Sequence, residues 1–199
     1  MVDKLRRESV RLSQMQDIAG CRIVVTDVVE QDRVLAELAR LFSRATLDDR
    51  RGRPSHGYRA VHYIVSDFDN PVEIQLRSSL QHHWAEISEK LSDIRDPSIK
   101  YGGGTPEQRE SLDRLSSLVA ALEQGQIVAS RVNSQATKLR ELIDVVNAQP
   151  PGRVPQPVLE VVAKQSGQLS DLEVTVGRTT SEMETIAKSI RTILDTLAS

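Results

Sequence analysis

The chain has 199 residues, a formal net charge of −2 and a single cysteine, Cys21. That length holds one ordinary domain plus an appendage, and the near-neutral balance excludes a global pull toward nucleic acid or anionic membrane, so any polyanion site must be local. One cysteine excludes an internal disulfide and a multi-cysteine zinc site; no apolar run approaches the ~20 residues that span a bilayer, no signal-peptide pattern precedes the charged start, and a soluble cytoplasmic protein is expected.

Residues 2–15 read as a helix, with Leu5, Leu12 and Met15 on one stripe and Lys4, Arg7 and Arg11 on another. Gly20 breaks that pattern, and Ile23-Val24-Val25 reads as a short buried strand ended by Thr26-Asp27. Val34, Leu35, Leu38, Leu41 and Phe42 give helical spacing over residues 30–43, after which a polar, basic loop is expected from Asp48 to Ser55. The segments His56–His62 and Val72–Arg77 read as a strand pair turning at Asp67-Phe68-Asp69-Asn70-Pro71, and residues 79–94 as the next helix. The order α-β-α-β-β-α argues for an α+β or α/β sandwich, a small sheet covered by helices.

Composition changes near Tyr101-Gly102-Gly103-Gly104-Thr105-Pro106. A mixed domain over 1–100, a glycine-rich linker over 101–106 and a helical extension over 107–199 are expected. Aromatics make up 3% of the chain, thin for a large core, which fits much of the length being elongated helix. Gln149-Pro150-Pro151-Gly152 must interrupt the extension. After it, Leu169, Leu172, Val176, Thr179, Met183, Ile186, Ile190, Ile193 and Leu197 alternate spacings of three and four, an a/d seam. Ala129, Val132, Ala136, Leu139, Ile143 and Val146 give the preceding helix a similar seam. Such seams pair as an antiparallel hairpin within one chain or as a coiled coil in a homo-oligomer.

The strand pair carries the chemistry. Val72, Ile74 and Leu76 share one face; Glu73, Gln75 and Arg77 share the other, and Tyr58 and His62 line up on one side of the first strand. Alternation alone is equally satisfied by a half-exposed hairpin with a solvated face. Asp17-Ile18-Ala19-Gly20-Cys21-Arg22 sits where a helix hands over to a strand, placing an acid for a metal and an arginine for a phosphate. Asp17 and Glu73 together suit Mg²⁺ that keeps several waters and gains ligands from substrate phosphates. Arg22, Arg51, Arg53, Arg59, Arg77 and the Lys4 stripe are a local basic excess that fits a nucleotide polyphosphate better than a long nucleic acid. Tyr58 beside Gly57 can stack on a base. His82 and Glu86 read as an i,i+4 helical pair, and there is no Walker loop or dinucleotide fingerprint.

Read together, Asp17-x-x-Gly20-x-Arg22, Gly57-Tyr58-Arg59-Ala60-Val61-His62 and Glu73-Ile74-Gln75-Leu76-Arg77-Ser78 resemble the synthetase domain of the RelA/SpoT family. Leu80-Gln81-His82-His83-Trp84-Ala85-Glu86 looks like that family's following helix, and the likeness covers about residues 2–95. It implies a nucleotidyltransferase-like α+β fold and transfer of the β,γ-pyrophosphate of ATP to the 3′-hydroxyl of GDP or GTP, releasing AMP and making (p)ppGpp. By position, Glu73 would be the general base and share Mg²⁺ with Asp17; Tyr58 would stack on guanine and His62 lie near the acceptor. Arg22, Arg77, Gln75 and Lys4 would line the nucleotides, with Arg51 and Arg53 on the loop between the substrates. The resemblance also marks departures. The family's Arg-x-Lys-x-x-x-Ser/Thr stretch for ATP would fall before Val2, so a shortened ATP half is expected, and His56 and Ala60 replace the family's Asn and Ser. Two other readings share the site: a guanine-nucleotide-binding regulatory module that oligomerises through its tail, and a pyrophosphokinase acting on tRNA 3′ ends.

Overall fold

The computed structural model describes residues 19–197, so the helix expected over 2–15 lies outside the described residues. Packing divides the chain into two compact units, the first running to Ala120 and the second spanning Ala121–Ile193.

The first unit is built on four strands, β1 (Gly20–Val25), β2 (Ala45–Asp49), β3 (Val61–Val65) and β4 (Val72–Ser78), in the order β1-β4-β3-β2. β1 runs parallel to β4; the other neighbours are antiparallel. Helix α1 (Val28–Leu41) follows β1, and α2 (Ser79–Ile94) leaves β4 directly. This is the expected α+β fold.

Local chemistry explains these boundaries. Asp27 caps α1 by accepting from the backbone N–H of Val29 and Glu30 at 2.8 and 2.9 Å, which starts the helix two residues earlier than its apolar spacing suggests. Ser78 and Gln81 form a reciprocal capping box that turns strand β4 straight into α2. Gln81 also meets the buried Gln31 of α1, whose amide nitrogen donates to the Leu76 carbonyl at 2.8 Å and to Gln81 Oε1 at 2.9 Å. At Gly20 a Cβ would meet the Glu73 carbonyl oxygen at 2.8 Å, so the bare backbone is what lets β1 lie against β4.

One face of the sheet is apolar and packs on α1. Tyr63, Val65 and Ile74 meet Leu38, while Val25, Val61 and Leu76 meet Val34 and Leu35. Each such aliphatic residue contributes roughly 1.5–3 kcal/mol on burial, which fixes the register and forces the alternate residues of β4 to the opposite face.

The strand pair differs from expectation at both ends. Its first strand begins at Val61, while Ser55–Tyr58 close a two-residue turn through paired backbone bonds of 2.9 and 3.2 Å. Positive φ at both central positions, 51° at His56 and 83° at Gly57, is the primed geometry that favours Asn-Gly. Ala45–Asp49, partly read as loop, is an edge strand. Its acids and mostly exposed side chains suit an unpaired edge and hide the strand pattern.

Two long helices follow, α3 (Pro106–Asn147) and α4 (Gln156–Leu197), and their residues 121–147 and 156–193 form an antiparallel pair in the second unit. Ala136, Ile143 and Leu169 form its core, and Gly125 sits against Met183. The seam expected on α3 faces inward, and Pro150–Gly152 falls in the turn between the helices. The seam on α4 has a different phase. Leu169, Val176, Met183 and Ile190 face inward as expected, yet Leu172 and Ile186 are exposed at 44% and 46%. Glu173, Thr180 and Ala187 take the inner positions instead, because a four-three spacing from Leu169 fits the face opposite the small residues of α3. Among the described residues, no helix is long and apolar enough to cross a membrane.

Candidate active site

The face of the sheet opposite α1 carries the polar residues of β4. Register places Arg22 of β1 and His62 of β3 on either side of Gln75, with Asp48 of β2 opposite His62. Arg22 Nε donates to Gln75 Oε1 at 2.9 Å. Glu73 lies two residues along the same face, and its Oε1 is bonded to Nδ1 of the buried His62. His62 Nε2 is 3.0 Å from the Tyr58 hydroxyl, which accepts from Arg77 Nη2 at 3.1 Å. The Arg77 guanidinium also lies over the Tyr58 ring, 5.1 Å from its centre. Burial pushes the Tyr58 hydroxyl above its ordinary pKa; the Arg77 charge opposes that shift. Tyr58, His62, Glu73, Gln75, Arg77 and Arg22 are therefore brought together.

Tyr58 reaches this face because the turn before it is clamped. The Ser116 hydroxyl of α3 donates to the Gly57 carbonyl at 2.7 Å, and Trp84 Nε1 donates to the Leu112 carbonyl at 3.1 Å. A Cβ on Gly57 would lie 2.6 Å from Trp84 Cζ2, at a φ of 83° that L residues avoid. Gly57→Ala is expected to lower stability by about 1–3 kcal/mol, measured by urea unfolding, since it adds backbone strain to an overlap with a buried ring. An unchanged midpoint would show that the turn can shift freely.

Arg77 is 2% exposed, and its Nε and Nη1 have no hydrogen-bond partner among the described residues. Buried guanidinium donors without partners are uncommon and suit an incoming anion. His82 joins this neighbourhood. Burial lowers its pKa; Glu86, 3.4 Å away, opposes the shift, and the charges of Arg77 and Arg22 add to it. The expected His82–Glu86 pair is present, yet its closeness to two arginines follows from the tight junction of β4 and α2, which spacing on one helix does not reveal. Trp84 and Ser116 were likewise missed, since their role depends on packing between distant segments.

The loop arginines are placed elsewhere. Arg51 is bound to Asp32 at 2.6 Å and Asp49 at 2.7 Å, and these bonds outweigh burial to hold its pKa above the ordinary value. Arg53 is exposed. Asp17 and Lys4 lie outside the described residues. No group of three or more His, Cys, Asp or Glu side chains able to hold a metal occurs among the described residues. The Glu73 carboxylate, with one oxygen on His62, fits a hard cation as a single oxygen ligand.

Residues 1–92 match the family described as a region found in RelA / SpoT proteins. Uncharacterized proteins Rv1366 of Mycobacterium tuberculosis and Mb1401 of Mycobacterium bovis are each 39% identical over 112 residues, covering 54% of this chain. The chain spans 41% of the length of these relatives. Among solved structures, small alarmone synthetase 1 from Bacillus subtilis is 29% identical with a TM-score of 0.51, covering 67% of this chain and 74% of that one. Its form bound to the product pppGpp is 27% identical with a TM-score of 0.51, covering 67% and 72%. Small alarmone synthetase 2 from the same organism shares the fold, with a TM-score of 0.52 at 21% identity over 65% of this chain and 73% of that one. On matched sequence and shared architecture together, residues 1–92 match the RelA/SpoT region, and the fold is similar to that of small alarmone synthetase 1.

Proposed function

We propose that the protein transfers the β,γ-pyrophosphate of ATP to the 3′-hydroxyl of GDP or GTP, giving (p)ppGpp and AMP. The observation that carries this reading is Glu73, held by His62 on the polar face of β4 beside Tyr58 and the partnerless donors of Arg77. Glu73 accepts the 3′-hydroxyl proton as that oxygen attacks the β-phosphorus of ATP. The bond from that phosphorus to the α,β-bridging oxygen breaks, and AMP leaves.

Tyr58 offers the ring face away from Arg77 to guanine. Arg77 and Arg22 neutralise phosphate charge, with Gln75 holding the Arg22 guanidinium in place. Arg51 takes part only if it leaves Asp32 and Asp49. Mg²⁺, held by Glu73 and Asp17, would supply further charge neutralisation on the phosphates. Positioning and charge are what phosphoryl chemistry chiefly requires.

Incubation with ATP, Mg²⁺ and GDP or GTP, followed by anion-exchange analysis, tests the reading. Equal amounts of AMP and a 3′-diphosphorylated guanosine nucleotide are expected. Guanine-nucleotide binding without AMP release would replace it with the regulatory module. Labelled phosphate in added tRNA, and none in free nucleotide, would replace it with the tRNA-directed reaction.

A further inference from the structure

We propose that the hairpin of α3 and α4 in the second unit docks face to face against a second copy of itself, whatever reaction the first unit performs. The docking surface is the side of the hairpin that holds an open groove between the two helices.

The groove has a volume of about 310 Å³ and is lined by Gly125, Val128 and Ala129 of α3 and by Thr175, Thr179 and Met183 of α4. Heptad spacing extends both of its sides. From Val128 a row runs to Gln135 and Leu142, and through Thr179 another joins Val158, Gln165, Leu172 and Ile186. A third row, through Thr175, adds Val161, Gln168 and Glu182. The aliphatic members of these rows are all exposed, Val158 the least at 42%. Helix α4 thus carries two apolar stripes. Leu169, Val176, Met183 and Ile190 face α3, and Leu172 and Ile186 are left half-exposed beside them. The other side of the hairpin is different, for Arg140 and Glu173 pair across it, with Asp144 and Glu184 exposed in the adjoining rows.

Charge, hydrogen bonding, shape and area select a second copy as the occupant. Glu182 alone is charged in the three rows, in a chain that is 27% charged. No charge pattern therefore calls for an oppositely charged partner, and like charges do not oppose pairing about a two-fold axis. Gln135, Gln165, Gln168, Thr175 and Thr179 each donate and accept, so the same groups can bond one another across an isologous contact. Small residues floor the groove while Leu172 and Ile186 stand at its two ends, so each copy brings side chains that the groove of the other admits. Residues 121–147 of α3 run ~40 Å at the usual helical rise, and two helices side by side are ~20 Å wide. The resulting face of roughly 800 Å² is what each partner of a standard-sized interface contributes. Contiguous exposed apolar surface on this scale marks a contact site.

Analytical ultracentrifugation of the full chain over a wide range of concentration is the test. The parent should sediment at twice the 22.2 kDa mass of the chain, or at an even multiple of it. Leu172→Glu places a charge on the neutral face and should raise the dissociation constant about tenfold or more. Val174→Glu, on the far side of α4 and 72% exposed, should associate as the parent does. Circular dichroism checks that the helices survive, and Ile186→Gln takes the place of Leu172→Glu if that variant loses helicity. A parent that stays monomeric at every concentration would overturn the proposal and leave the face to a different occupant. A well-folded Leu172→Glu or Ile186→Gln that associates as tightly as the parent would also overturn it. So would equal weakening by Val174→Glu, since the contact would then lie on another surface. None of these readings uses turnover, so the transfer reaction stands or falls separately.

Discussion

Glu73→Gln is expected to lower the rate of (p)ppGpp formation by about 10²–10⁴-fold, the range for loss of a positioned general base. The substitution is nearly isosteric. Its amide oxygen can still accept from His62 Nδ1, so the contact that anchors residue 73 survives. What disappears is the ability to take the 3′-hydroxyl proton and to present a charged oxygen to a divalent cation. The side chain lies on the polar face of the sheet, opposite the core of Leu38, Tyr63, Val65 and Ile74, so thermal unfolding should move little. Guanine-nucleotide affinity, measured by calorimetry with magnesium omitted, should also be nearly unchanged. A variant that folds and turns over at the parent rate would remove Glu73 from the chemistry.

Arg77→Met should act in opposite directions on stability and on binding. The guanidinium is buried, with Nε and Nη1 unpartnered among the described residues, so the nucleotide-free protein bears the desolvation cost of a charge that it incompletely satisfies. A methionine of similar length fills the same space without that cost. Replacing buried ionic groups by apolar ones is often neutral or stabilising by about 1–4 kcal/mol, and the lower half of that range is expected here because Tyr58 loses a donor. Nucleotide affinity should meanwhile fall at least about tenfold, since hydrogen bonds to charged groups contribute about 1.5–3 kcal/mol each. Chemical unfolding of the free protein and titration with ATP or GDP measure the two effects. Marked destabilisation without loss of affinity would show that Arg77 serves the fold.

The parts of the site visible in the sequence are those set by strand alternation. Glu73, Gln75 and Arg77 fall on one face because Ile74 and Leu76 must enter the core, and no distant information is needed to see it. The turn at Ser55–Tyr58 was harder to read, because His56 in place of a typical turn asparagine hides a left-handed position. Strand β2 was obscured by Asp48 and Asp49, which look like loop residues and are edge-strand residues. On α4 a three-four and a four-three spacing share every seventh residue. The difference between Leu172 and Glu173 at the inner position was settled by the partner helix, not by hydropathy. Ser116 and Trp84 support Tyr58 from segments that no local pattern connects to it. Arg51 looked free for phosphate because the acids that hold it, Asp32 and Asp49, lie on separate elements.

The pairing of β1 with β4 also has a kinetic consequence. Strands β2, β3 and β4 form an antiparallel meander of near neighbours, whereas Arg22 and Gln75 are bridged across 53 residues by a parallel pairing. Closing so long a loop costs entropy before its contacts repay it, so β1 should dock after the meander has formed. The amide–guanidinium bond at Gln75 is made in that late step. Nucleotide present during refolding should therefore slow the reopening of β1 far more than it speeds formation of the meander, coupling the last act of folding to substrate.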